Sequence, residues 1–138
     1  MANEATLVMR TELPLNFVVG NGTGIEKGAL LKLADPMTAS SANGLNDVLA
    51  GIAASEKIAS DGKTGLGVFR RGVFRMTASG AITVGDPVGS IATFTNMVQS
   101  QKATLTLSGA RTLGTALETV TSGAILIDVN VGQSWGNP

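Results

Sequence analysis

The sequence contains the segment Ile25-Glu26-Lys27-Gly28-Ala29-Leu30-Leu31 and, 57 positions later, the related segment Ile82-Thr83-Val84-Gly85-Asp86-Pro87-Val88. Both read isoleucine, two variable residues, glycine, two variable residues and an apolar residue. Further matches follow in the same order: Leu49–Ala53 resembles Leu113–Leu117, and Gly65–Val68 resembles Gly123–Leu126. Three landmarks in one order predict that a single β-unit occurs twice, at about residues 20–77 and 78–132.

The two copies consist of short apolar runs punctuated by many of the 18 glycines, a pattern typical of short strands joined by turns. The clearest strand, Ala124–Val131, places Ile125, Ile127 and Val129 on one face. The full set of predicted strands is Asn16–Val19, Ala29–Leu33, Val48–Ser55, Gly67–Arg71, Val73–Thr77, Pro87–Ser90, Ala103–Leu107, Thr112–Glu118 and Ala124–Val131.

The fold class predicted from these strands is mostly β, a duplicated β-unit forming a small barrel or sandwich with at most one or two short helices. Neither half is expected to cover its apolar face alone, so we expect the two halves to close together. The polar segment 34–46 is predicted to be a loop. Short helices are considered at Phe94–Gln101 and, as an alternative to a strand, at Asp47–Ile58.

The amino-acid composition excludes several classes of function. The 138 residues carry 10 basic and 10 acidic side chains and contain no histidine or cysteine. The chain therefore cannot form a Ser-His-Asp triad, a cysteine nucleophile or a thiolate metal site. Zero net charge and 4% aromatic residues argue against nucleic-acid binding. We expect no signal peptide and no membrane span, and we predict no catalytic residues, cofactor or metal.

Two glycine-rich segments look like phosphate loops but lack the full patterns. Gly20–Gly24 has no third glycine at the required spacing, and Gly62-Lys63-Thr64 lacks the earlier glycine of a nucleotide-binding loop. Both are interpreted as turns. Lys63, expected between two strands, resembles the modified lysine of biotinyl and lipoyl carrier barrels, although the apolar neighbours of that lysine are missing.

We divide the chain into an N-terminal arm (1–15), one β-rich domain (16–132) and a C-terminal tail (133–138). The arm either pairs with a partner's sheet edge or forms the first strand of its own sheet. The single tryptophan of the tail either folds back onto its own barrel or anchors an interface. Candidate contact residues for a protein partner or a neighbouring subunit are Thr6, Leu7, Val8, Met9, Arg71, Arg75 and Trp135.

The order of the motifs resembles the cement, or head decoration, proteins of tailed-phage capsids over roughly residues 20–132. The resemblance is carried by Gly24–Leu33, Val48–Ala53, Gly72–Val88, Leu113–Glu118 and Gly123–Val131. It implies a non-enzymatic β-rich protein, made in the bacterial cytoplasm, that binds the major capsid protein on the outside of the assembled head and stabilises it. It also implies a homotrimer.

Two other functions stay open at this point. One is a different phage structural module, such as a tail or tube component. The other is a carrier or small-ligand barrel that uses Lys63 on its hairpin.

Overall fold

The computed structural model describes residues 3–91, 96–102 and 111–131. These residues form eleven strands and no α-helix, so the predicted mostly-β class is confirmed. The strands are β1 (Thr6–Met9), β2 (Leu15–Val18), β3 (Leu30–Ala34), β4 (Thr38–Ser41), β5 (Leu49–Ala53), β6 (Gly65–Phe69), β7 (Arg71–Ala78), β8 (Pro87–Ser90), β9 (Met97–Ser100), β10 (Gly114–Ala116) and β11 (Gly123–Asn130).

Each half of the chain closes its own five-stranded barrel, in place of one barrel shared by both halves. The first barrel has the strand order β2-β4-β3-β5-β6, with β6 pairing back onto β2. The second has the order β7-β11-β10-β8-β9, and a parallel pairing of β7 with β9 closes it. The strand β1 lies outside this ring, added to β7.

The two barrels have the same topology, strand for strand. The strands β2 to β6 correspond in order to β7 to β11, and corresponding strands make the same pairings. Each barrel contains one parallel pairing, β2 with β4 in the first and β7 with β9 in the second. An isolated bridge also recurs: Ile25 pairs with Lys57 in the first barrel, and Ile82 pairs with Val120 in the second. The segments that match in sequence therefore occupy equivalent places in a duplicated structure.

The glycine of the repeated motif is required by the backbone conformation in both copies. Gly28 and Gly85 adopt φ angles of 88° and 90°, in the left-handed region that side chains rarely enter. Each donates its N–H to the equivalent strand, at 2.9 Å to the Ala53 carbonyl and 2.8 Å to the Ala116 carbonyl. The repeated glycine of the sequence motif is thus the residue that turns the chain into β3 or β8.

Most predicted strands are present, and the structure differs from the sequence predictions in two places. The predicted loop 34–46 contains β4, since Thr38–Ser41 pairs with both β2 and β3. The helix considered at Phe94–Gln101 is wrong for Met97–Ser100, which forms β9. The alternative helix at Asp47–Ile58 is replaced by β5, as the strand prediction had it. The predicted strand Ala103–Leu107 lies outside the described residues.

Two apolar clusters form the core. One fills the first barrel and includes Phe17, Leu31 and Val68. The other fills the second barrel, where Ile125 and Ile127 are fully buried on the predicted face of β11. This second cluster also takes in residues from the outside of the first barrel, namely Leu30, Leu49, Ile52 and Phe69. The barrels therefore pack against each other through a continuous apolar contact.

A buried polar cluster holds the same junction together. The Gln101 side chain donates to the Asn46 side chain at 2.8 Å and to the Arg111 carbonyl at 2.7 Å. The Arg111 guanidinium donates to the Asn46 carbonyl at 2.8 Å, and the Thr112 hydroxyl donates to Gln101 at 3.0 Å. Because these groups satisfy one another, the loop before β5 is fixed onto the second barrel without leaving buried polar atoms unpaired.

Candidate functional site

The N-terminal strand β1 is held mainly by main-chain pairing. It runs antiparallel to β7, with Thr6 opposite Arg75, Leu7 opposite Phe74 and Met9 opposite Val73. A bulge between Leu7 and Met9 shifts the register and leaves Val8 without a facing residue. All four residues of β1 are exposed, Val8 by 51% and Met9 by 60%. The segment is therefore a strand of its own chain's sheet that still presents apolar side chains outward.

The neighbouring strand β7 places its two arginines on the same outward face. Its burial alternates, so that Phe74 and Met76 point into the barrel while Arg71 and Arg75 are exposed. Gly72, between the arginines, has a φ of 147° and lies beside the bulge of β1. Arg70, the third basic residue, is apart from this face, because its guanidinium lies 5.8 Å from the ring centre of Phe17.

We use the term arm face for Thr6, Val8 and Met9 of β1 together with Arg71 and Arg75 of β7. Thr6 and Met9 pair with Arg75 and Val73 and so share the outward face of the two arginines, whereas Leu7 pairs with the inward-pointing Phe74. Among the described residues β1 is the last strand of its sheet, so its outer edge offers unpaired main-chain groups. Chemically, such a surface can add an extended strand and can bind acidic side chains; it carries no group suited to acid–base catalysis.

The residues just before β1 cover one of the two equivalent glycine turns. The Ala5 N–H donates to the Gly28 carbonyl at 2.8 Å, and the Ala5 carbonyl lies where a Gly28 side chain would be. No atom of the described residues lies within 4 Å of the same position at Gly85. Val84 and Leu117, beside the Gly85 turn, are 57% and 44% exposed. The second barrel thus leaves open a surface that the first barrel has covered.

The loop between β5 and β6 contains a buried lysine that sequence reasoning missed. The Lys57 side chain is fully buried and donates to the carbonyls of Asn21 and Ile58 at 2.9 and 2.7 Å. It also forms an ion pair of 2.7 Å with Asp61. The hydrogen bond from Lys57, followed by one from the Lys63 N–H, lowers the pKa of Asp61 from 3.8 to about 2. The residues next to Lys57 in the sequence gave no signal for these contacts, because its partners lie in two separate turns.

The remaining candidates are placed as follows. Lys63 lies between the antiparallel strands β5 and β6 and is exposed. Trp135 lies outside the described residues. Within the described ranges, no three histidine, cysteine or carboxylate side chains come together as a metal site. In that same part of the chain there is no helix long and apolar enough to span a bilayer.

The comparisons with known proteins agree with this architecture. One solved structure similar to this chain is the N base of the head fiber protein gp8.5 of bacteriophage phi29, at 14% sequence identity and a TM-score of 0.52. The alignment covers 94% of this chain and 100% of that one, which supports the fold. No curated protein matches the chain.

The family comparison indicates the function as well as the fold. The model of the phage cement proteins matches residues 9–131, nearly the whole chain and both barrels. Such a protein is a structural component of the virion that binds the phage capsid and stabilises it. The chain belongs to the phage cement protein family.

Proposed function

We propose that this protein attaches to the outer surface of the assembled head and contacts the major capsid protein through the arm face. The observation that carries the proposal is β1, a strand with exposed apolar side chains and a free edge. A partner segment added to that edge gains main-chain hydrogen bonds and covers Val8 and Met9. Arg71 and Arg75 lie beside it and would bind carboxylates on the partner, which fixes the register of attachment.

The size of the molecule suits attachment by repeated modest contacts. The chain exposes 6779 Å², and a standard interface takes about 800 Å² from each partner. Roughly an eighth of the surface therefore suffices for one contact. Because many copies bind one shell, even weak individual contacts give a large total stabilisation through avidity. No cofactor, nucleic acid or membrane is needed for this function, and none is proposed.

We further propose that the protein acts as a homotrimer. The described residues expose several large apolar side chains, among them Leu13 and Val84, and the chain has no net charge to oppose association. Light scattering behind a sizing column measures the native mass directly. We expect three times the chain mass; one chain mass at every concentration would contradict preformed trimers.

The test of the arm face uses capsids that lack this protein and charge-introducing variants. Val8→Glu and Met9→Glu place a carboxylate on exposed positions, so the fold should survive while attachment weakens. Ile58→Glu, at an equally exposed apolar position on the β5–β6 loop, is the matched control. Bound protein is measured by co-sedimentation with the capsids, and capsid stability by resistance to heat.

We expect at least about a tenfold loss of affinity, equivalent to 1.4 kcal/mol, for the β1 variants and none for the control. An Arg71→Glu/Arg75→Glu double variant should weaken attachment further and reduce its dependence on salt. Wild-type attachment by all of these variants would place the capsid contact elsewhere on the molecule.

A further inference from the structure

One end of the first barrel carries an apolar groove that no described residue fills. The groove has a volume of about 480 Å³, and its lining includes Leu15, Phe17, Leu33, Met37 and Arg70. Phe17 belongs to the core, whereas Leu15 and Met37 are 49% and 54% exposed. The groove therefore opens the apolar interior of the barrel to its surroundings, which is typical of a surface that another protein covers.

The pairing register gives each of three groove residues a counterpart in the second barrel. The counterparts of Leu15, Leu33 and Met37 are, in that order, Phe74, Ser90 and Asn96. Met37 and Asn96 also share a left-handed backbone, with φ angles of 41° and 62°. All three counterparts in the second barrel are at most 3% exposed. The same end is thus open in one barrel and covered in the other.

The cover of the second barrel is the outer wall of the first. Leu30, Ile52 and Phe69 of that wall belong to the apolar cluster of the second barrel. The Phe69 ring packs edge-on against Phe74, with ring centres 5.7 Å apart. The Leu30 N–H donates to the Asn96 side chain at 2.9 Å. Within one chain, the open end of a barrel therefore binds the apolar wall of another barrel.

The second barrel does not offer the same apolar wall to the groove of another copy. The counterparts of Leu30, Ile52 and Phe69 are, in that order, Pro87, Thr115 and Asp128. A threonine and an aspartate are poor partners for an apolar groove, because burial would remove their polar groups from water. We therefore do not expect copies of this chain to add end to wall in an open row. A second copy does offer an apolar surface at its own open end.

The charges at the groove are complementary to those of the same groove in a second copy. Arg70 and Asp35 both line it, and within the described residues neither takes part in an ion pair. When two open ends meet, the guanidinium of one copy can pair with the carboxylate of the other. We propose that the open ends of the first barrels pack against one another, so that neighbouring copies of this chain bury Leu15 and Met37 and pair Arg70 with Asp35. This contact presupposes the proposed homotrimer and places the first barrel of every copy at its axis.

Carboxylates introduced into the groove test this contact. Leu15→Glu and Met37→Glu change exposed positions, so each subunit should stay folded while the association is lost. Light scattering behind a sizing column should then give one chain mass for both variants and three for wild type. Ile58→Glu, at a position 62% exposed on the β5–β6 loop, is the matched control and should keep the wild-type mass. Circular dichroism and urea unfolding establish that each variant is folded.

The charge pair is tested by reversal. Arg70→Asp and Asp35→Arg should each shift the mass towards one chain at low protein concentration, because like charges then meet across the contact. The double variant Arg70→Asp/Asp35→Arg restores opposite charges between copies and should recover the oligomer. Single variants that associate like wild type, or a double variant that stays dissociated, would contradict the pairing.

The measurements distinguish a failure of this contact from a failure of the proposed function. Wild-type mass in both Leu15→Glu and Met37→Glu would overturn the groove contact and leave the homotrimer standing. If those variants kept the wild-type mass but lost attachment in co-sedimentation with capsids, the groove would bind the capsid instead of a second copy. One chain mass for wild type at every concentration would overturn both the homotrimer and the contact. Attachment through the arm face is measured separately, with the Val8→Glu variant.

Discussion

Lys57 and Val120 occupy equivalent positions in the two barrels, each bridged to the isoleucine that opens its repeat. A half-buried valine in one copy is thus a fully buried lysine in the other. The lysine is tolerated because two carbonyls and the Asp61 carboxylate take all three of its donors. Where the second copy has an apolar contact, the first has a polar one that ties the turn at Asn21 to the β5–β6 loop.

Replacing the lysine by the residue of the other copy tests its role. In Lys57→Val the carbonyls of Asn21 and Ile58 lose a buried donor, and we expect a loss of on the order of 1–3 kcal/mol in unfolding free energy. Urea unfolding measures it, with Lys63→Val as the exposed control on the same loop. Equal stability of both variants would show that the polar cluster contributes nothing over the apolar contact.

The low pKa of Asp61 predicts a specific pH dependence. Because folding lowers this pKa, the ionised carboxylate stabilises the fold above about pH 4, and that contribution is lost as the pH falls towards 2. Asp61→Asn should therefore be less stable than wild type at pH 5, with the difference shrinking at pH 2. Glu12→Gln, at an exposed position, is the control; a pH-independent difference for Asp61→Asn would contradict the ion pair.

The two equivalent turn glycines should respond differently to substitution. Gly85→Ala places a side chain in open space but at a positive φ, which costs roughly 1–2 kcal/mol. Gly28→Ala has the same backbone strain and also meets the Ala5 carbonyl, so it should cost at least about 1 kcal/mol more. In a chain lacking residues 2–12 the two costs should become equal. Thermal unfolding of the four variants decides this. The larger Gly85→Val should also destabilise the fold.

Gly114 is required for a different reason, because two strands approach each other closely at this position. A side chain on Gly114 would overlap the carbonyl of Asp128 on the facing strand β11. We expect Gly114→Ala to lose about 3 kcal/mol or more in unfolding free energy. Gly80→Ala, in open space and without positive φ, should stay within about 0.5 kcal/mol of wild type. Similar values for both would mean that the strands can separate at little cost.

Deleting residues 2–12 separates folding from attachment. The removed strand β1 is exposed and bonded to one edge of β7, so both barrels should remain folded, with a lower melting temperature. Binding to capsids should fall at least about tenfold. Circular dichroism and co-sedimentation measure the two properties separately. A well-folded truncation that binds normally would remove β1 from the capsid contact.

The parts of the fold that follow local rules were predictable from sequence. The repeated glycine turn and the alternating face of β11 depend on residues close together in the chain, so the amino-acid sequence alone indicates them. By contrast, β4 buries only Ala39 fully, and its polar residues conceal it from a search for apolar alternation. Its position follows from pairing with β2 and β3, contacts that no short window of sequence contains.

The same distinction between local and long-range features applies to the candidate site. The shared face of Arg71 and Arg75 follows from strand periodicity. The contact of Gln101 with Asn46, 55 positions away, arises from the packing of two barrels, as does the pairing of β1 with the second barrel. Long-range contacts of this kind require the tertiary structure.

A chain made of two copies of one barrel could have two interchangeable ends. The few residues before β1 prevent this, because they seal the turn at Gly28 and leave its counterpart at Gly85 open. The subunit therefore has polarity, and turning it end for end presents a different surface. Copies placed around a symmetry axis must all point the same barrel towards it, so the duplication doubles the building unit without making its orientation ambiguous.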